Sequence, residues 1–194
     1  MYRNYDTFEF EGAKTLNGTI KNTAFSTQGV AGGDNPNAVR VTSDAHGLTA
    51  TYSKQPTIFL QNLANAIYNG HRKILAVATN TFDIRLSVPF AALTPAGTEL
   101  WFVGTSYPVK WEFLGFEIHL ASASATSENL VIAKDAYAGA IFDTKLYSQD
   151  MNTIQDISLM FDVPIPMAAN DVAKFTWANT NSRVWGIKLF ARSK

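Results

Sequence analysis

The feature that most constrains this chain is an alternation of apolar and polar side chains with period two, recurring in short runs. Val39 and Val41 alternate with Arg40 and Thr42, and Phe82, Ile84 and Leu86 with Asp83, Arg85 and Ser87. Leu114, Phe116, Ile118 and Leu120 alternate with Gly115, Glu117 and His119, Phe175 and Trp177 with Lys174 and Thr176, and Ile187 and Leu189 with Lys188. Successive side chains of a strand point to opposite faces, so each run puts its apolar members on one side of a sheet. The runs are rich in β-branched and aromatic residues, which suit a half-buried pleated surface. Between them lie turn-forming clusters: Asn17-Gly18, Gly32-Gly33-Asp34-Asn35-Pro36, Asn69-Gly70, Pro95-Ala96-Gly97 and Asn179-Thr180-Asn181. Asn69-Gly70 suits a tight hairpin because both residues tolerate positive φ. Only Gln61 to Tyr68 has helix-like spacing, and its Asn62 and Asn65 predict a turn-rich connection instead.

The pattern predicts an all-β protein in three parts. Residues 1–37, polar and rich in Gly, Asn and Thr with one strand candidate at Thr7 to Glu11, read as an extended N-terminal arm. Residues 38–97 read as a small β module, and residues 98–194 as an antiparallel β-sandwich of jelly-roll or immunoglobulin-like type.

Composition narrows the function. Charged residues are only 16% of the 194, against the quarter usual for a domain, which implies a surface partly covered by partners. Sixteen basic residues balance sixteen acidic ones and no run of like charge occurs, which argues against nucleic acid as the main partner. Cysteine is absent, removing disulfides, thiolate metal sites and Cys nucleophiles. The N-terminus lacks the apolar stretch of a signal peptide and no window suits a membrane helix, so synthesis in a cytoplasm and no membrane partner are expected.

The residues offer little chemistry. His46, His71 and His119 are far apart, without metal-ligand spacing; His46 fits the turn before Gly47, and His119 the polar face of its strand. Ser43, Asp44 and His46 lack a nucleophile elbow. Asp143, Asp150, Asp156, Glu112 and Glu117 carry no marker of a paired-carboxylate cleft. Asp34-Asn35-Pro36-Asn37 does not follow the order of a calcium loop, and no phosphate-cradling glycine loop occurs. No catalytic residue, metal or cofactor is expected, and the chain reads as non-enzymatic.

Aromatic residues are the better candidates. Trp101, Phe102, Tyr107, Trp111, Phe113 and Phe116 crowd one region. On strict alternation Trp111 and Phe113 fall opposite Leu114, Phe116 and Ile118, making both faces of that strand apolar, so that it is either central or turned to a partner. Tyr2, Tyr5, Phe8 and Phe10 in the arm, with Trp101 and Trp111, are therefore the interaction candidates. An alternative is glycan binding, with Trp177 as a stacking platform and Asn179 and Arg183 as hydrogen-bonding partners.

Two stretches carry a resemblance. Val41-Thr42-Ser43-Asp44-Ala45-His46-Gly47-Leu48-Thr49, with Tyr68-Asn69-Gly70 and Asn80-Thr81-Phe82-Asp83-Ile84, resembles a small "AHGL" β module of tailed-bacteriophage structural proteins. Ser127 to Ile132, Phe142 to Ser148, Asn170 to Thr180 and Arg183 to Leu189 are similar to a β-sandwich domain of phage virion proteins. The resemblance implies a virion structural protein made in the bacterial host cytoplasm. Its foremost role would be capsid decoration or cement, with a tail component (tube, adaptor or fibre-attachment subunit) as the alternative. The implied partners are other virion proteins (the major capsid protein or tail proteins) and further copies in a homo-oligomer. On this reading the arm adds a strand to a neighbour, so removing residues 1–37 would abolish attachment and leave the sandwich folded.

Overall fold

The computed structural model describes residues 5–19, 26–27, 38–49, 57–86 and 98–194. These residues are all-β, with two short 3-10 turns at Ala66–Tyr68 and Ala140–Phe142. The strands are β1 (Asp6–Gly12), β2 (Asn17–Thr19), β3 (Ser26–Thr27), β4 (Ala38–Thr42), β5 (Thr57–Gln61), β6 (Gly70–Val77), β7 (Thr81–Arg85) and β8 (Leu100–Phe102), then β9 (Gly104–Ser106), β10 (Trp111–Leu120), β11 (Asn129–Asp135), β12 (Thr144–Asp150), β13 (Asp156–Met167), β14 (Val172–Thr176) and β15 (Trp185–Ser193). The clusters Gly32 to Pro36 and Pro95 to Gly97 lie outside the described residues.

Two compact units form, and the first is built from both ends of the chain: Met1–Leu16 with Val103–Lys194. Its two four-stranded sheets run β1-β15-β10-β13 and β12-β11-β14-β9, antiparallel throughout. Counted along this unit alone, the orders are first-eighth-third-sixth and fifth-fourth-seventh-second. That is the double Greek key of a jelly roll. The second unit, Asn17–Phe102, enters between the first and second strands of the jelly roll. The described part of the expected arm is thus no free extension, because β1 lies antiparallel to β15 from Asp6↔Ala191 to Gly12↔Trp185.

The jelly-roll core follows from the alternation. Phe10, Trp185, Ile187, Leu189 and Ala191 from one sheet meet Leu130, Ile132, Ala173, Phe175 and Trp177 from the other, all buried. Each large side chain so buried contributes about 1.5–3 kcal/mol. Strict alternation fails in β10. The register on both neighbours shifts between Phe113 and Gly115, a β-bulge that turns the strand over by one residue. Trp111 and Phe113 therefore join Phe116, Ile118 and Leu120 in one core, and the expected second apolar face is not a partner surface. A Cβ at Gly115 would overlap the Leu159 carbonyl oxygen and Met160 Cα, so the bulge is built on glycine.

The second unit is a sheet in the order β2-β8-β5-β6-β7-β4-β3. Val39, Val41, Ile58, Leu60, Ile74, Phe82, Ile84 and Trp101 form its buried cluster. Asn17-Gly18 is not a turn but part of β2, where Gly18 faces Trp101 in register and a Cβ would stand 2.5 Å from the indole Nε1. Asn69-Gly70 does not close a two-residue hairpin either. β5 and β6 are joined through the Ala66–Tyr68 turn, the turn-rich connection expected there, which Asn69 caps while donating its backbone N–H to Ala66.

Arg40 and Asp83 face each other across β4 and β7, and the guanidinium donates to both carboxylate oxygens at 2.7 and 2.9 Å. Asp83 is buried, whereas Arg40 is partly open. Arg40→Met would leave that carboxylate without its cation, and an expected loss of about 3 kcal/mol follows from uncompensated burial. Urea unfolding of the two proteins checks this; an unchanged midpoint would mean that water replaces the arginine.

Candidate functional site

Of the residues selected as interaction candidates, Tyr2 lies outside the described residues, and most of the others are structural. Phe10 is buried between the jelly-roll sheets and Phe8 packs against the same core, its ring 6.2 Å from that of Tyr107. Trp101 is fully buried and donates its Nε1–H to Ser43 Oγ at 2.9 Å. Trp111 is buried beside Tyr107, with ring centroids 5.4 Å apart. These are corrections to a surface role, and the cause is shared: each lies on the inward face of a strand. Tyr5 alone among them is open, 48% exposed, with its ring edge-on to Phe190.

The glycan trio is also committed internally. Trp177 and Asn179 are buried. Asn179, at φ +47°, donates its side-chain amide to the Lys14 and Arg183 carbonyls at 3.1 and 2.8 Å and accepts from the Arg183 N–H at 2.8 Å. Asparagine favours such left-handed turns because its short amide satisfies the backbone around it. Arg183 reaches Ser122 Oγ at 3.1 Å. The trio organises the loop before β15 and offers no open aromatic face.

The ionisable groups sort the same way. His46 Nδ1 accepts from the Leu48 N–H at 3.0 Å, which leaves Nε2 to donate to the Thr81 carbonyl at 3.1 Å and fixes the neutral tautomer in the turn. His119 lies on the polar face, 2.5 Å from Asp156 across β10 and β13. Glu112 holds Arg192 and Lys194, and those two cations keep its carboxyl below the usual range, Lys194 first. Asp150 is likewise held down by the Ser127 hydroxyl and the Asn152 N–H. Among the described residues no three metal-ligating side chains converge, and no helix is long and apolar enough to cross a membrane.

His71 is a strongly perturbed histidine. Desolvation, and then the charge of Arg72, lower its pKa to about 3. Its ring stands edge-on to Phe59 at 5.1 Å. The unfolded chain binds this proton below about pH 6.5 while the folded one does not, so the stabilisation is complete above that pH and drains away between about pH 6.5 and 3. A loss of a few kcal/mol on acidification through this window is expected, and His71→Gln should flatten it. Identical pH profiles for the two proteins would contradict the assignment.

One open cleft of about 440 Å³ is lined by Tyr5, Asp6, Arg192 and Ser193. Its two charged groups are already engaged. The Tyr107 hydroxyl donates to Asp6 at 2.5 Å, and burial together with that carboxylate raises the phenol pKa, while Arg192 is clamped by Glu112. The cleft can seat a small polar group.

The surface that sequence reasoning missed is apolar. Between β11 and β12 the loop exposes Tyr137 (76%), Ile141 (89%) and Phe142 (54%). The loop is nevertheless built firmly. Asp143 accepts from the Ala136 N–H at 2.8 Å, and the buried Asp171 carboxylate accepts from the N–H groups of Tyr137 and Ala168 at 3.1 and 2.9 Å. The signal lay in the run Ala136 to Phe142, which has no alternation and so eludes a search for strands.

The fold and these side chains define a jelly-roll sandwich carrying an inserted antiparallel β unit, with an open apolar loop at one end. No family model, no curated protein and no solved structure matches the chain.

Proposed function

We propose that this chain is a non-catalytic structural protein of a tailed-bacteriophage particle, in the first place a capsid decoration or cement protein that works through protein contacts. One observation carries the reading: polar and charged side chains at the sites described above are spent on holding the chain together, while large apolar side chains of a firmly built loop face outward. Exposed apolar groups of that size mark interaction surfaces. Jelly-roll sandwiches serve in viral shells and in lectins; the assembly reading is favoured because Trp177, Asn179 and Arg183 are occupied within the loop before β15. The words shared with phage modules add to it, among them Ala45-His46-Gly47-Leu48, whose histidine fixes the turn.

The neutral charge fits a partner that is protein rather than nucleic acid. A tail subunit is the second reading, and copy number separates shell from tail tip, because shell sites repeat by the hundred and tail-tip sites by the handful. The experiment is absolute quantification of the chain in purified particles by mass spectrometry. Roughly hundreds of copies are expected from shell symmetry; a handful would move the protein to the tail, and absence from intact particles would overturn the proposal.

A further inference from the structure

The two ends of the jelly roll differ. Strand registers place Asp6, Trp111, Met167 and Ser193 at one end of the first sheet. They place Ser106, Asp135, Thr144 and Val172 at one end of the second. These are the same end, because β9 runs into β10 through residues 107–110 and β13 into β14 through residues 168–171, and the Tyr107 hydroxyl donates to Asp6 on the first sheet. Leu16 and Val103, where the chain of this unit is interrupted, lie at the opposite end. Val109 (45%), Tyr137, Ile141, Phe142 and Tyr5 all belong to the end marked by Asp6, Trp111 and Val172.

We infer that this end is a self-association surface, on which a second copy of the chain docks about a two-fold axis through Val109, Tyr137, Ile141 and Phe142. The apolar area approaches what a stable dimer needs. With Tyr5, these side chains present on the order of 600–700 Å², taking 150–250 Å² for a large aromatic, against about 800 Å² per partner in a standard interface.

Charge selects the occupant. A two-fold contact sets one patch against an identical patch, so a surface with net charge repels itself. Here Lys110, Lys134, Lys145, Arg192 and Lys194 are matched by Asp6, Glu112, Asp135, Asp143 and Asp171. Several of these are already tied within the chain: Glu112 to Arg192 and Lys194, Asp6 to Tyr107, Asp143 and Asp171 to backbone N–H groups. An anionic membrane or a nucleic acid would call for a cationic excess, which a balanced set does not supply.

The inference deepens the assembly reading by naming a partner and a surface, and the two fail separately. Sedimentation equilibrium of the full chain tests the surface, whereas the particle count tests the function. A dimer is expected at a loading concentration of about 100 μM, dissociating on dilution as mass action requires. Ile141→Asp with Phe142→Ser should weaken it at least about 100-fold, as loss of central apolar anchors does, with an unchanged circular dichroism spectrum because both side chains are exposed. Val184→Asp, on an exposed residue at the other end, should leave the dimer intact. A monomer throughout the concentration series would overturn the inference, as would a dimer indifferent to the double substitution. Binding of the chain to phosphatidylglycerol vesicles without dimerisation, abolished by that substitution, would overturn it too, because lipid would then be the occupant.

Discussion

Replacing Gly115 by valine is expected to lower the stability of the jelly roll by about 4 kcal/mol or more, near the upper limit for a single substitution. The added Cβ meets the Leu159 carbonyl oxygen and Met160 Cα, which are backbone atoms of the neighbouring strand and cannot rotate away. Relief requires β10 and β13 to part, or the bulge to move. A moved bulge shifts the register and sends either Trp111 and Phe113 or Phe116 and Ile118 out of the core. Urea unfolding followed by tryptophan fluorescence measures the loss, and a shift below about 1 kcal/mol would mean that the strands do not approach as described.

The second large effect concerns the tryptophans that looked most like anchors. Trp101→Ala and Trp111→Ala should each cost about 3–5 kcal/mol, the range for emptying a buried aromatic site. Trp101→Ala also removes the donor to Ser43, a buried hydroxyl that then loses its partner. Calorimetry on the single variants is the check. Surface anchors would behave differently, leaving stability within about 0.5 kcal/mol and abolishing only association.

Much of the fold is legible in the sequence, because alternation over Val39–Val41, Phe82–Leu86, Phe116–Leu120 and Ile187–Leu189 is a local property, and each run forms a strand with its apolar members inward. The sandwich, too, is legible from the density of such runs. Two things are not. A bulge breaks period two by one residue; Gly115 and the change of apolar phase beside it are its local marks, but the need for glycine comes from Leu159 and Met160 far along the chain. The place of the first strand is equally hidden. Phe8 and Phe10 alternate with acids as any edge strand does, but their partners on β15 are some 180 residues away.

The burial of Phe10, Trp101, Trp111 and Trp177 is hidden for the same reason. An aromatic residue in a half-polar strand has the same local signature whether its face meets solvent or a second sheet, and only topology decides. Tyr137, Ile141 and Phe142 carry the opposite signature. They are apolar residues in a non-periodic run, and their exposure is set by Asp143 and Asp171 holding the loop from either side.

The assembly reading stands on β1 being a strand of its own jelly roll rather than an arm lent to a neighbour. Truncation of residues 1–37 should therefore unfold the sandwich, since it takes away an edge strand and the core residues Phe10 and Leu16. Glu9 and Lys188 stand opposite each other across β1 and β15, exposed, with their charged atoms 3.7 Å apart. Directly opposed residues of an antiparallel pair lie at roughly 4.5–5.5 Å between Cα atoms, within disulfide reach. The chain has no cysteine of its own, so the double variant Glu9→Cys with Lys188→Cys can form only the engineered bond. Oxidised at high dilution, it should give a single-chain species with one internal disulfide by mass spectrometry of its peptides. Disulfide-linked dimers or two free thiols would place β1 elsewhere and contradict the fold on which the function rests.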